Sequence, residues 1–140
     1  MKRILVALCM LWGLGLSAQS LRVQVDSLVP EAAAVVLLQR FTQMAEAGGM
    51  TVVADEGTPV LLIQAVPADR MEMPGDGKQV AVVLSVSAVM EDVSGTFTVK
   101  GVGEGDADAW QRAARQILPH SKAARELASR LKEALAGGPR

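Results

Sequence analysis

Cysteine is missing from all but the first few residues of this chain. The one copy, Cys9, sits inside an apolar N-terminal run. Downstream of it no disulfide can form and no thiolate is on offer, so the stability of the folded part must come from packing. Cys9 is also no lipidation signal: Leu8 stands where a lipobox wants a small residue, and only eight residues precede it. Aromatics are almost as scarce. There is no tyrosine, and past residue 18 only Trp110, Phe41 and Phe97 remain. Surfaces that bind glycans or peptides draw heavily on Trp and Tyr, so this composition argues against a glycan-binding module. The core must be built from Val, Leu, Ala, Ile and Met.

Histidine is reduced to His120, between Pro119 and Ser121. A single imidazole with no carboxylates or thiolates at ligand spacing does not make a zinc site. As a catalytic base it would need a nucleophile and an orienting acid around it, and neighbouring Ser121 reads as a helix cap. Excess positive charge is lacking too. Of 14 Lys and Arg, Lys2 and Arg3 belong to the N-terminal run, which leaves 12 against 15 Asp and Glu, a net charge of −3. Nucleic acids and anionic membrane surfaces both select basic patches, so neither is expected as a partner.

What the chain does have is an address label. Met1-Lys2-Arg3 is basic, Ile4 to Leu16 is apolar and uncharged, and Ser17-Ala18-Gln19 offers small residues for cleavage. That is the layout of a secretory signal peptide, cut after Ala18. The run is too short, and too soon followed by polar residues, to be a good spanning helix. The expected organisation is a signal peptide over 1–18 and a single domain over 19–140, with the mature protein periplasmic or secreted and not inserted in a membrane. At 122 residues such a domain buries about two-thirds of its chain surface.

Periodicity orders the elements. Leu21 to Val25 alternates and predicts a short edge strand or a disordered lead-in. Pro30 opens a helix whose apolar stripe is Ala34, Leu37, Leu38, Phe41, Met44 and Ala45, and Gly48-Gly49 ends it. Met50 to Ala54 and Val60 to Val66 read as strands, the second buried on both faces and ended by Pro67. Ala68 to Lys78 reads as a mobile loop. Gln79 to Val93 puts Val80, Val82, Leu84, Val86, Ala88 and Met90 on one face. It turns through Asp92-Val93-Ser94-Gly95 into a strand over Thr96 to Val102. Gly103-Glu104-Gly105 breaks that strand. Asp106 caps a helix to about Ile117, with Ala107, Trp110, Ala113, Ala114 and Ile117 inward. Ser121 caps the last helix. The order β-α-β-β-β-β-α-α predicts an α+β, two-layer sandwich with a mostly antiparallel sheet of four to five strands and helices on one face. Ser85, Ser87, Thr96, Thr98 and Lys100 then lie on the outer face.

Three further patterns bear on chemistry. Gly101-Val102-Gly103-Glu104-Gly105 stands between a strand and a helix, where phosphate loops are found. Its spacing is not G-x-G-x-x-G, it follows the last strand, and Asp106 and Asp108 would repel a phosphate, so a tight strand-to-helix turn is expected. The acidic pairs Asp55-Glu56 and Glu91-Asp92 fall beside turn residues, where carboxylates are ordinary solvated surface. Met71 and Met73 could serve a soft protein contact, or copper if Met90 joined them; the plainer reading folds them back on the core. No catalytic, cofactor-binding or metal-binding residue is expected.

Gly95-Thr96-Phe97-Thr98-Val99-Lys100-Gly101-Val102-Gly103, followed by Asp106-Ala107-Asp108-Ala109-Trp110 and Ala113, resembles small exported bacterial proteins of the flagellar assembly protein T type. It is also similar to curli-secretion and TolB amino-terminal-like domains. Met50-Thr51-Val52-Val53-Ala54-Asp55, after a helix ending in Gly-Gly, is similar to a matching segment in them. The resemblance implies an α+β envelope module that assembles with other proteins, or with itself, without catalysis. An alternative expectation is an exported inhibitor or ligand-binding domain of cystatin-like shape, a helix wrapped by an antiparallel sheet. The two closing helices and Gln64-Ala65-Val66-Pro67-Ala68 fit it poorly.

Overall fold

The computed structural model describes residues 19–75 and 77–137. The N-terminal run, with the expected cleavage after Ala18 and the expected 1–18/19–140 division, lies outside the described residues. Five strands and three helices follow in the expected order: β1 (Ser20–Val25), α1 (Glu31–Ala47), β2 (Thr51–Val52), β3 (Val60–Glu72), β4 (Val80–Met90), β5 (Val93–Gly103), α2 (Asp106–Ala114) and α3 (Lys122–Gly137). The fold is α+β, one five-stranded sheet with helices packed on one face.

Strand β4 organises the sheet. Its even-numbered residues, Val80 to Met90, are all buried, and its odd-numbered ones face the other way. Register carries that division sideways. Val82 pairs with Gly101, Leu84 with Val99, Val86 with Phe97 and Ala88 with Gly95 on β5. On β3, Ile63 pairs with Ala88 and Ala65 with Val86. These rows form the face beneath the helices.

The strand order is β2-β1-β3-β4-β5. β1 runs parallel to both β2 and β3, while β3, β4 and β5 form antiparallel ladders of ten and eleven paired residues. Strand β1 is therefore not an edge strand. Two residues of β2 flank it, and β3 reaches its other side across α1, the crossover that parallel pairing requires. This parallel start also departs from the wholly antiparallel wrap of a cystatin-like domain.

Helix α1 buries Ala33, Val36, Leu37, Phe41, Met44 and Ala45. The stripe is rotated slightly from the expected one: Ala34 is half-buried and Leu38 exposed, because Val36 takes the central place. Gly49, at φ +90°, supplies the left-handed residue beyond the helix end. Helix α2 is shorter than expected, and Asp106 does not cap it. Gly105 is the flanking residue, at φ +128°, and Asp106 instead accepts a hydrogen bond from Arg70. In α3 the Ser121 hydroxyl accepts from the Ala124 N–H at 3.2 Å, as an N-cap should. Ser121→Ala is expected to cost about 1 kcal/mol. Chemical denaturation followed by circular dichroism would register it, and no loss would refute the cap.

Two turns lie elsewhere than the sequence suggests. β3 does not stop at Pro67 but runs to Glu72 through a bulge between Pro67 and Asp69. Pro67 stands opposite Leu84, whose backbone bonds to β5, so its missing N–H falls on the side away from β4, past Ile63 where pairing with β1 ends. The extra residue, Ala68, switches faces, so Arg70 and Glu72 lie beside Val82 and Val80 on the helix side. The segment 68–72 is thus strand, not loop.

The β4–β5 turn is Glu91-Asp92, with Met90 paired to Val93. Glu91 has φ +54°, the sole non-glycine residue at positive φ among the described residues. A positive first position is the II′ pattern, where glycine is at home. Glu91→Gly is expected to stabilise the fold by about 0.5–1 kcal/mol, as strain relief outweighs added chain entropy. A lowered melting temperature would contradict it.

Candidate interaction surface

The helices leave the other side of the sheet uncovered among the described residues. Register defines five cross-strand rows there. They are Leu62–Val89–Ser94, Gln64–Ser87–Thr96, Val66–Ser85–Thr98, Asp69–Val83–Lys100 and Met71–Ala81–Val102. The middle is Ser/Thr-rich, as expected for Ser85, Ser87, Thr96, Thr98 and Lys100. Apolar side chains stand at both ends, Leu62 and Val89 at one and Met71, 57% exposed, with Val102 at the other, while Val66, 58% exposed, lies in the central row.

Strand β5 ends the sheet, with no strand on its outer side among the described residues. The two-residue turn makes Met90 and Val93 a hydrogen-bonded pair, and bonded pairs then alternate up the ladder. Val93, Gly95, Phe97, Val99, Gly101 and Gly103 therefore bond to β4. Ser94, Thr96, Thr98, Lys100 and Val102 aim their backbone N–H and C=O groups outward. Such a row is a template for another extended chain.

Charge is unevenly spread along this edge. At the hairpin end stand Glu91 and Asp92, both exposed. At the other end Lys100, Gly101 and Val102 meet Arg112 of α2 and, just past that helix, Arg115 and Gln116 around an open cleft of about 550 Å³. Arg112 donates to Asp108 at 3.1 Å, and Asp108 also accepts from the Glu104 N–H at 3.0 Å. These bonds, the backbone one foremost, hold the Asp108 carboxyl below the usual range. Lys100, Arg112 and Arg115 line the cleft and no carboxylate among the described residues does, so its lining is positive.

The glycines between β5 and α2 do not form a ligand loop. Gly101 and Gly103 are strand residues lying directly under α2, and only Gly105 serves the turn. Arg70 Nε bonds Asp106 Oδ1 at 2.8 Å, which ties the far end of β3 to the start of α2. Both groups are largely exposed, so the pair contributes little to stability.

The remaining candidates are dispersed. His120 is exposed and lines a cleft of about 310 Å³ between α1 and α3, with Arg125, Lys132, Ser129, Met44 and Ala128 among its neighbours. Met71 pairs with Ala81, nine residues along β4 from Met90 and on the opposite face. That separation is about 30 Å, so the three methionines do not meet. Asp55 and Glu56 lie exposed between β2 and β3. No group of three or more His, Cys, Asp or Glu is placed to hold a metal among the described residues. Nor is any helix there long and apolar enough to cross a membrane.

No family model matches the sequence, and no curated protein does. Solved structures with a similar course include a minor lipoprotein from Acinetobacter baumannii, at 16% identity and a TM-score of 0.44, covering 87% of this chain and 95% of that one. A lipoprotein from Caulobacter crescentus is similar at 16% identity and a TM-score of 0.37, over 88% of this chain and 90% of that one.

Sequence reading located the outer-face residues but placed an edge strand at Leu21 to Val25, where the sheet has β5 at its edge instead. The signal for β5 was present in Thr96, Thr98 and Lys100, which alternate with apolar residues and glycine along a strand followed by helices among the described residues.

Proposed function

We propose that the chain is an exported, non-enzymatic protein of the cell envelope that works by docking protein on its exposed sheet. The free edge of β5 carries this reading. Eleven residues of strand end the sheet, and five of them point backbone donors and acceptors outward. The open Ser/Thr-rich face continues inward from that edge. The basic, apolar and small-residue order of the first eighteen residues supports export. A photo-crosslinking residue placed at Thr98 in the full chain, in its native host, is expected to trap a discrete protein adduct. The same residue at Gln39, exposed on α1, should not. No adduct at Thr98, or the same adducts at both positions, would count against the reading.

A further inference from the structure

We infer that the occupant of the β5 edge is the β5 edge of a second copy, paired antiparallel about a two-fold axis at Thr96. This rests on the reading of β5 as a docking edge and commits it to one partner. Charge complementarity selects that partner. Each strand carries acids at its hairpin end (Glu91, Asp92) and cations at the other (Lys100, with Arg112 and Arg115 beside it). A parallel neighbour in register would set like against like. An antiparallel copy reverses the order and brings each acidic turn to the other copy's positive cleft.

The register follows from the same residues. Pairing about Thr96 sets Asp92 opposite Lys100 of the second copy, twice by symmetry. Pairing about Thr98 sets Asp92 opposite Glu104, and pairing about Phe97 leaves Lys100 opposite Ser94. In the Thr96 register the outward-pointing residues meet one another, as bonded pairs must: Thr96 with Thr96, Ser94 with Thr98. Cross-strand Thr–Thr and Ser–Thr pairs are favourable. On the helix side, Gly95 of each copy meets Phe97 of the other, and Val93 meets Val99. A lone lysine in mid-edge ordinarily discourages pairing. With an acid opposite, Lys100 instead admits one register and rejects others.

The full chain, expressed with its own leader, would be examined by sedimentation equilibrium from about 1 to 100 µM, the range of a modest protein association. A dimer is expected. Asp92→Lys or Lys100→Asp alone should weaken it by about tenfold or more, and the two together should restore it. Register is read by oxidation in a Cys9→Ser background. Thr96→Cys should cross-link to its own copy, since directly opposed bonded residues have Cα atoms about 5.5 Å apart. Thr98→Cys should not, because it faces Ser94. A monomer throughout the range, or cross-linking at position 98 in place of 96, overturns the inference. So does a photo-adduct at Thr98 that contains only a different protein, although that result keeps β5 as a docking edge. Loss of every adduct sinks the docking reading as well.

Discussion

Gly101→Ala is expected to unfold the protein or to lower its stability by about 3 kcal/mol or more. A Cβ built at Gly101 would press into the Ala109 carbonyl oxygen and the Ala113 nitrogen of α2. Those are helix backbone atoms, which cannot rotate aside as a side chain can. To make room, α2 would have to lift from β5 and draw out Ala109 and Ala113, both fully buried. Two residues on, a Cβ at Gly103 would come within 2.6 Å of the Ala109 nitrogen, so the two glycines together form a flat seat for the helix. The expected drop in melting temperature is about 10 °C or more. Trp110, in the same helix, provides the fluorescence signal. Gly57→Ala is the control, since no atom lies within 4 Å of its added Cβ, and its effect should stay within about 0.5 kcal/mol. Equal effects at 57 and 101 would refute the seat.

Those glycines also show where sequence reading runs out. A glycine announces an unusual need of the backbone, but not which need. Gly103-Glu104-Gly105 reads as a break, and Gly105 does turn the chain. Gly103 and Gly101 serve a different requirement, the approach of a helix that lies later in the sequence. The Pro67 bulge is similar. Proline forbids a ladder bond, yet whether the strand stops or bulges depends on a partner, and β4 is long enough to keep pairing beyond it. The Glu91 turn has no local signal, because glutamate at positive φ is imposed by the register of two long strands. The placing of β1 between β2 and β3 is likewise a long-range outcome. By contrast, the α1 stripe, the alternation of β4 and the Ser121 cap depend on neighbours within a turn or two, and they were legible. The acids of Glu91-Asp92 and the cation of Lys100 were each visible as surface charge. Their arrangement on one free edge emerged only once the turn was placed.

Phe41→Ala is the other large effect, expected to cost about 3–5 kcal/mol. Phe41 is fully buried on α1, and its ring meets Phe97 of β5 edge-to-face, with centroids 5.6 Å apart and planes at 77°. The contact matters because α1 also lies against β1 and β2 at the other side of the sheet, so this side chain links the helix layer to the last strand. A domain without cystine draws on packing alone, and a total stability of about 5–15 kcal/mol leaves little margin for such a cavity. Phe41→Leu should be milder, since it keeps most of the apolar volume and gives up chiefly the ring geometry. A double-mutant cycle of Phe41→Leu with Phe97→Leu separates the two contributions. The coupling is expected at about 0.5–1.5 kcal/mol, the range for edge-to-face pairs. Coupling within error of zero would mean that the rings pack independently and that Phe97 does not anchor α1. If β5 is the pairing edge, that anchor has a second consequence. Weakening the hold of α1 on Phe97 should loosen the strand on which the dimer depends, so Phe41→Leu should weaken self-association even where the monomer remains folded.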